Sequence, residues 1–402
     1  VNRAAIQRHL LRLAVGAWAL AALLFASGCA SFSGNRAAVK PTRTEAVPAR
    51  LVGHLFFVEL PQSDGRVHRF LVDTGSTLSY VTPAAAKTLA LRDRTPRTVD
   101  VQAPGGTTRT LPAVTLRRLQ VGGVTFENVP AALHDFTALS ERLGFTVDGL
   151  LAFPLFRDHL LTLDYPGRRL VLAPQPDTAE PILRLDPRAS TLAFSNEQRV
   201  PFVPVQMGNE SFSVLIDSGS DGALTLNPAG LHPRFTFGPR VGATVVTLAG
   251  EHEQLVGRLR QDLLLGGHTL TTPVADLTTG VSSLGGEILR HFVITFDQRR
   301  NFVTFARDTD GAVGAEPRRS TGLALARAPA YWRVVGIVPD TPTSRLGVQP
   351  GEVVVRVNGE PVTAWTFERF SELVANAVQV TLTFLAGTRE FDREVPVFDL
   401  VP

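Results

Sequence analysis

The chain has 402 residues, 40 Lys and Arg against 37 Asp and Glu, 44% apolar residues and one cysteine. That length suits two or three domains with a buried core, and the apolar content with so little net charge excludes an intrinsically disordered chain. A disulfide framework within the chain is excluded because Cys29 has no partner, and the charge excess of three is local: Arg3, Arg8 and Arg12 lie in the first 28 residues, which hold no acid, leaving 37 against 37 from Cys29 onward. A neutral body of this kind carries no global footprint for nucleic acid.

Residues 1–12 are basic, Leu13 to Phe25 form an apolar run, and Ala26-Ser27-Gly28 lead into Cys29. The run is shorter than the roughly 20 residues of a membrane-spanning helix, and the layout is that of an export signal. Ala26-Ser27-Gly28-Cys29 resembles the bacterial lipoprotein signal. The resemblance implies that Cys29 is lipidated and becomes the new first residue, and that the mature chain is anchored to the outer membrane facing the periplasm. Residues 29–50, with Ser31, Ser33, Gly34, Pro41 and Pro48, then read as a tether.

Next comes a duplication. Phe70-Leu71-Val72-Asp73-Thr74-Gly75-Ser76 recurs as Val214-Leu215-Ile216-Asp217-Ser218-Gly219-Ser220, and Leu119-Gln120-Val121-Gly122-Gly123 as Leu263-Leu264-Leu265-Gly266-Gly267, both at an offset of 144. Leu161-Thr162-Leu163-Asp164 recurs as Ile294-Thr295-Phe296-Asp297 at 133, so the first copy gains about eleven residues, expected in a surface loop. Short apolar runs such as Leu55–Leu60, Phe70–Val72, Val114–Val121 and Val293–Phe296, bounded by turn residues, read as strands, and the two Gly-Gly pairs as hairpin turns. Helical periodicity is limited to Pro83–Leu91 and Ser140–Leu143.

Each Asp-(Thr/Ser)-Gly-Ser loop follows three apolar residues, which put a carboxylate at the end of a buried strand where it would ordinarily be avoided. The Thr or Ser hydroxyl can bond backbone or the opposite loop, the Gly permits a tight turn, and the last Ser can orient the carboxylate. Two such loops in a duplicated chain can face each other, and carboxylates at close range share a proton. One then accepts a proton from water while the other polarises a peptide carbonyl. These motifs resemble the aspartic protease family, with two lobes in one chain as in pepsin-like enzymes, over residues 51–306. The resemblance implies catalysis by Asp73 and Asp217, support by Thr74, Gly75, Ser76, Ser218, Gly219 and Ser220, and no cofactor or metal. Asp148-Gly149-Leu150-Leu151-Ala152 and Ser283-Leu284-Gly285-Gly286 match the segments passing behind the catalytic loops, with Ala152 where the family usually has Gly. Ala103–Thr107 and Leu248–Glu251 are candidate flap tips without the pepsin-type tyrosine, closer to retropepsin-like flaps. His252-Glu253 lacks the second histidine of a helical zinc motif, and His159 and His291 read as structural.

Beyond a Gly-rich linker, the pattern becomes a strand at Trp332–Pro339, a helical turn at Thr341–Val348, an Asn358-Gly359 hairpin, an amphipathic helix at Phe367–Ala375 and a strand at Val378–Phe384. The run resembles a bacterial PDZ domain, which implies a peptide-binding groove with Gly322, Leu323, Ala324 and Leu325 as its carboxylate-binding loop. The expected fold is mainly β, a bilobal aspartic-protease-like β-barrel pair plus a small α+β PDZ-like domain. Its segments are a signal peptide (1–28), tether (29–50), lobe one (51–190), lobe two (191–306), linker (307–320) and PDZ-like domain (321–402). The expected function is an aspartic endopeptidase, monomeric, acting on protein or peptide substrates. The alternative is a non-catalytic envelope protein that binds peptides in the same cleft and groove.

Overall fold

The computed structural model describes residues 43–61, 65–89, 97–102, 108–176, 188–247 and 250–402; the signal, Cys29 and the Ala103–Thr107 tip lie outside them. The chain is mainly β, as expected. In lobe one the strand order is Glu45–Val52, Leu55–Pro61, Val67–Asp73, Gly149–Ala152, Ser79–Val81, Val124–Leu133, Thr108–Val121 and Arg97–Gln102. Phe70, Leu71 and Val72 are all buried, which explains their unbroken apolar run: the strand is covered on both faces and pairs in parallel with Gly149–Ala152. Lobe two repeats the plan. Val214, Leu215 and Ile216 are fully buried, and Glu210–Ile216 pairs in parallel with Ser283–Leu284. Gly122 and Gly266 both take φ +58 in two-residue turns, the left-handed conformation the Gly-Gly repeats predict.

A central antiparallel sheet joins the lobes, in the order Ala189–Ala193, Phe302–Ala306, Val293–Asp297, His159–Asp164, Arg169–Pro174 and Glu45–Val52. Thr162 stands opposite Thr295, their hydroxyls 2.9 Å apart. The second repeat offset of 133 therefore belongs to two copies of one strand paired across a local twofold axis. One apolar core runs through this sheet from Val58 and Phe70 to Ile216 and Leu284.

Several boundaries differ from the sequence reading. The last part of the expected tether is the strand Glu45–Val52, because Val47 packs into the core and the backbone pairs with both Arg169–Pro174 and Leu55–Pro61. The linker 307–320 is ordered: Val313 is buried and bridges Leu270, and Arg318–Ser320 forms a strand with Phe398–Val401. The first helix is Pro83–Thr88, capped by the Thr82 hydroxyl, and ends early because Leu89 is extended. The second is longer, Thr137–Leu143, closed by Gly144 at φ 74. It lies within the extra residues of the first copy, so that length builds a helix as well as loop.

The carboxyl-terminal module has Leu323–Arg327 at its sheet edge, followed by Trp332–Ile337, Val353–Val357, Gln379–Ala386 and Arg389–Pro396. Asn358 and Gly359 take positive φ at the predicted hairpin. The helix Phe367–Asn376 starts at Thr366, whose hydroxyl accepts from the Arg369 amide, and buries Phe370 and Val374; Phe370 meets Trp332 edge-on at 5.1 Å. The strand Arg389–Pro396 escaped sequence reading because its exposed charged residues break the apolar pattern and only Val395 is buried. Leu400 and Val401 pack with Val256 and Val274, fixing the module against lobe two.

Candidate active site

The two Asp loops close on each other with crossed symmetry. The Thr74 amide donates to Ser218 Oγ and the Ser218 amide to Thr74 Oγ1, each at 3.0 Å. Thr74 Oγ1 donates to the Ile216 carbonyl at 2.6 Å, and Ser218 Oγ to the Val72 carbonyl at 2.7 Å. The four bonds relate residues about 144 apart because the repeats meet at one axis. All are buried, so each hydroxyl is held as donor and acceptor at once.

This interlock faces Asp73 and Asp217 toward each other, 1% and 4% exposed. Gly75 donates to Asp73 Oδ1 at 2.8 Å and Gly219 to Asp217 Oδ1 at 3.0 Å. Each glycine also lies against the opposite carboxyl: a methyl group on Gly75 would stand 2.6 Å from Asp217 Oδ1, and one on Gly219 2.6 Å from Asp73 Oδ1. Glycine is required here by close approach. The serine hydroxyl expected to orient the carboxylate is turned elsewhere, since Ser76 Oγ donates to the Leu78 carbonyl at 2.8 Å. Its backbone N–H, like that of Ser220, supplies the favourable interaction with the carboxylate instead.

Burial, then the charge of Asp217, hold the Asp73 carboxyl well above the ordinary carboxylate range; burial raises Asp217 too, against the opposing pull of the Gly219 amide. The two carboxyls are near enough to share a hydrogen bond, so the pair favours a state with one proton between them. Asp73 Oδ2 is buried with no partner among the hydrogen bonds of the described residues.

Behind the loops, Ala152 pairs with Asp73 and Gly285 occupies the matching place beside Asp217. Ala152 is tolerated, whereas a methyl on Gly285 would strike the Gly222 carbonyl. The hairpin behind the second tip pairs Thr247 with Gly250, and that behind the first pairs Gln102 with Thr108. His252-Glu253 falls in the strand Gly250–Leu259, where no helical zinc motif forms. His159 is buried against Phe126, and burial lowers its affinity for a proton, as it does for His291.

Sequence reasoning missed two tyrosines. Tyr80 and Tyr165 are buried, their hydroxyls have no partner among the described residues, and burial holds both phenols neutral, helped by the charge of Asp73 at Tyr80 and of both aspartates at Tyr165. It also missed the Arg142–Asp221 ion pair, which ties the added helix of lobe one to the residue after Ser220. No local motif marks either feature.

The expected PDZ loop is largely strand. Leu323, Ala324 and Leu325 are buried in Leu323–Arg327, leaving only Gly322, at φ +71, in the turn. Its amide donates to Ser320 Oγ at 2.9 Å and the Leu323 amide to Thr321 Oγ1 at 3.4 Å, so local hydroxyls take two of the loop's amides.

Fold and site together define a two-lobed β protein with an aspartate-loop interlock and an appended β-rich module. Residues 61–155 match the aspartyl protease family, a span that includes the Asp73 loop, and residues 333–385 match the PDZ domain family. No curated protein matches the chain.

Proposed function

We propose that the chain is an aspartic endopeptidase in which Asp73 and Asp217 share one proton and activate water. The observation that carries this reading is the crossed interlock, which spends four buried hydrogen bonds on facing two carboxyls at each other. The ionised carboxylate takes a proton from water as the water oxygen attacks the peptide carbonyl carbon, and the protonated carboxyl gives its proton to the carbonyl oxygen. Collapse of the resulting diol returns one proton to a carboxylate while the other carboxyl protonates the departing nitrogen, so the C–N bond breaks and the pair again holds one proton. Raised proton affinity on both aspartates supports this cycle, because it carries the singly protonated state upward from strong acid.

One chain supplies both aspartates, which supports action as a monomer. The PDZ domain supports recruitment of proteins or peptides. The basic and apolar start ending at Cys29 supports a lipid-anchored location in the bacterial cell envelope. The test is cleavage of an unfolded protein from pH 3 to 8, with and without a peptide bearing a hydroxyl in place of the scissile carbonyl. Cleavage that falls at high pH and is blocked by the analogue is expected; binding of the analogue without any cleavage would favour the peptide-binding alternative.

A further inference from the structure

The two aspartate loops are twofold copies that differ just beyond the shared motif: at the offset of 144, Asp221 of lobe two stands where lobe one has Thr77. Asp221 follows Ser220, whose backbone N–H supports the Asp217 carboxylate. Arg142 Nη2 pairs with the Asp221 carboxylate, and His54 Nδ1 donates to the Asp221 carbonyl at 2.8 Å. Burial works to raise the Asp221 carboxyl, and the Arg142 charge outweighs it, holding the group below the ordinary value. Arg142 and His54 belong to lobe one, so the lobe-two loop is held from the other lobe. The helix that carries Arg142, Thr137–Leu143, is in turn held by the carboxyl-terminal module. The edge strand Leu323–Arg327 runs beside it, and Phe367 packs on the lobe-one cluster that includes Leu139 and Leu143. Arg327 Nη1 donates at 2.7 Å to the Arg142 carbonyl, in the last turn of that helix, where carbonyls lack an intrahelical donor. Arg327 is itself fixed to the module, its guanidinium over the rings of Trp332, Phe367 and Phe370 at 5.0 to 5.3 Å.

This contact brings two arginines together, and burial, then the Arg142 charge, pushes the ionisation of Arg327 down to about 9. Docking for stability alone would not favour that placement. We infer that Arg327 and Arg142 are positioning residues for hydrolysis, which tie the docked module to the Asp217 loop through the helix Thr137–Leu143 and Asp221. Each link is a direct contact: module ring cluster to Arg327, Arg327 to the helix end, Arg142 to Asp221, and Asp221 to its neighbour Ser220. The module thus acts on the active site itself, apart from any protein it recruits. Without Arg327 the helix end loses its anchor, Arg142 shifts with it, and the Ser220 amide moves off the Asp217 carboxylate. The kinetic consequence rests on the hydrolysis reading, whereas the effect on the loop does not.

The experiment compares the full chain with Arg327→Met, Asp221→Asn, the double variant and Arg327→Lys, using cleavage of fluorescently labelled casein, an unfolded protein, and hydrogen exchange read by mass spectrometry. Arg327→Met and Asp221→Asn should each lower kcat roughly 10-fold with KM within about twofold, because a displaced loop costs orientation rather than binding. The double variant should fall no further than the worse single one within about twofold, since both changes break one chain of contacts. Arg327→Lys, whose ammonium can reach the same carbonyl, should recover most of the rate. Exchange over residues 217–222 should be roughly 10-fold faster in Arg327→Met, with residues 73–78 unchanged. If Arg327→Met does not fold, Phe367→Ala, which removes the module's contact with the Leu139 and Leu143 cluster, takes its place with the same expectations. Cleavage by Arg327→Met at the parent's rate, a raised KM with kcat unchanged, or additive losses in the double variant would overturn the inference. A parent that cleaves no casein would sink the hydrolysis reading instead, and exchange then decides the link: equal exchange over 217–222 in parent and Arg327→Met overturns it.

Discussion

Replacing Thr74 with Val keeps the shape of the side chain and removes its hydroxyl from the interlock. Two bonds disappear, the donation to the Ile216 carbonyl at 2.6 Å and the acceptance from the Ser218 amide at 3.0 Å. Both remaining partners are buried, and each unsatisfied group costs about 1–3 kcal/mol, so the loss is about 2–6 kcal/mol. The twofold relation makes Ser218→Ala its counterpart, with the bonds to Val72 and from Thr74 lost and a similar cost expected. Urea unfolding followed by far-ultraviolet circular dichroism measures it. Tryptophan fluorescence would not report the lobes, since Trp332 and Trp365 both lie in the carboxyl-terminal module and Trp18 in the expected signal. Thr74→Ser, which restores the hydroxyl, should recover most of the loss. A cost below about 1 kcal/mol for Thr74→Val, or recovery absent in Thr74→Ser, would refute the argument that these hydroxyls hold the loops together.

The aspartate pair should make stability depend on pH. Both carboxyls bind protons more tightly folded than unfolded, so their stabilising contribution is full below the ordinary value of 3.8 and is lost as pH rises through the raised values. Asp73→Asn should therefore unfold at higher urea than the parent at pH 8, by roughly 1–3 kcal/mol, with the gap closing near pH 3.5; an equal gap at both pH values would contradict this. Gly75→Ala should lower peptide cleavage roughly 10-fold or more while the protein stays folded, because the methyl displaces the Asp217 carboxyl; steady-state kinetics and circular dichroism together check it. Gly285→Ala should cost about 1–3 kcal/mol through its clash with the Gly222 carbonyl, whereas Ala152→Gly, at the matching place in lobe one, should cost under about 1 kcal/mol; thermal unfolding compares them.

The aspartate loops were legible because their chemistry is local: an apolar strand, an acid, a hydroxyl and a glycine must be adjacent in sequence to make that turn. Repeating them at one offset also foretold that the two loops could face each other, whereas the pairing of Thr162 with Thr295, repeated at the other offset, came only from the structure. Features made by distant residues were not legible. Arg142 meets Asp221 only because the extra residues of lobe one form a helix, and Arg327 reaches that helix only because the module docks. At the expected carboxylate loop, the Ser320 and Thr321 hydroxyls take the amides of Gly322 and Leu323, a local bonding pattern the Gly322–Leu325 sequence does not announce. The tether and linker were drawn too long because isolated buried residues, Val47 and Val313, anchor them without an apolar run.

The most direct test of the paired-carboxyl mechanism is cleavage of an unfolded protein substrate by purified parent, Asp73→Asn and Asp217→Asn chains across pH 3 to 8. Removing either partner of a proton-sharing pair should lower cleavage by roughly 10³-fold or more, with circular dichroism unchanged, since each aspartate alternates as acid and base. Cleavage by either variant at the parent's rate would contradict the mechanism.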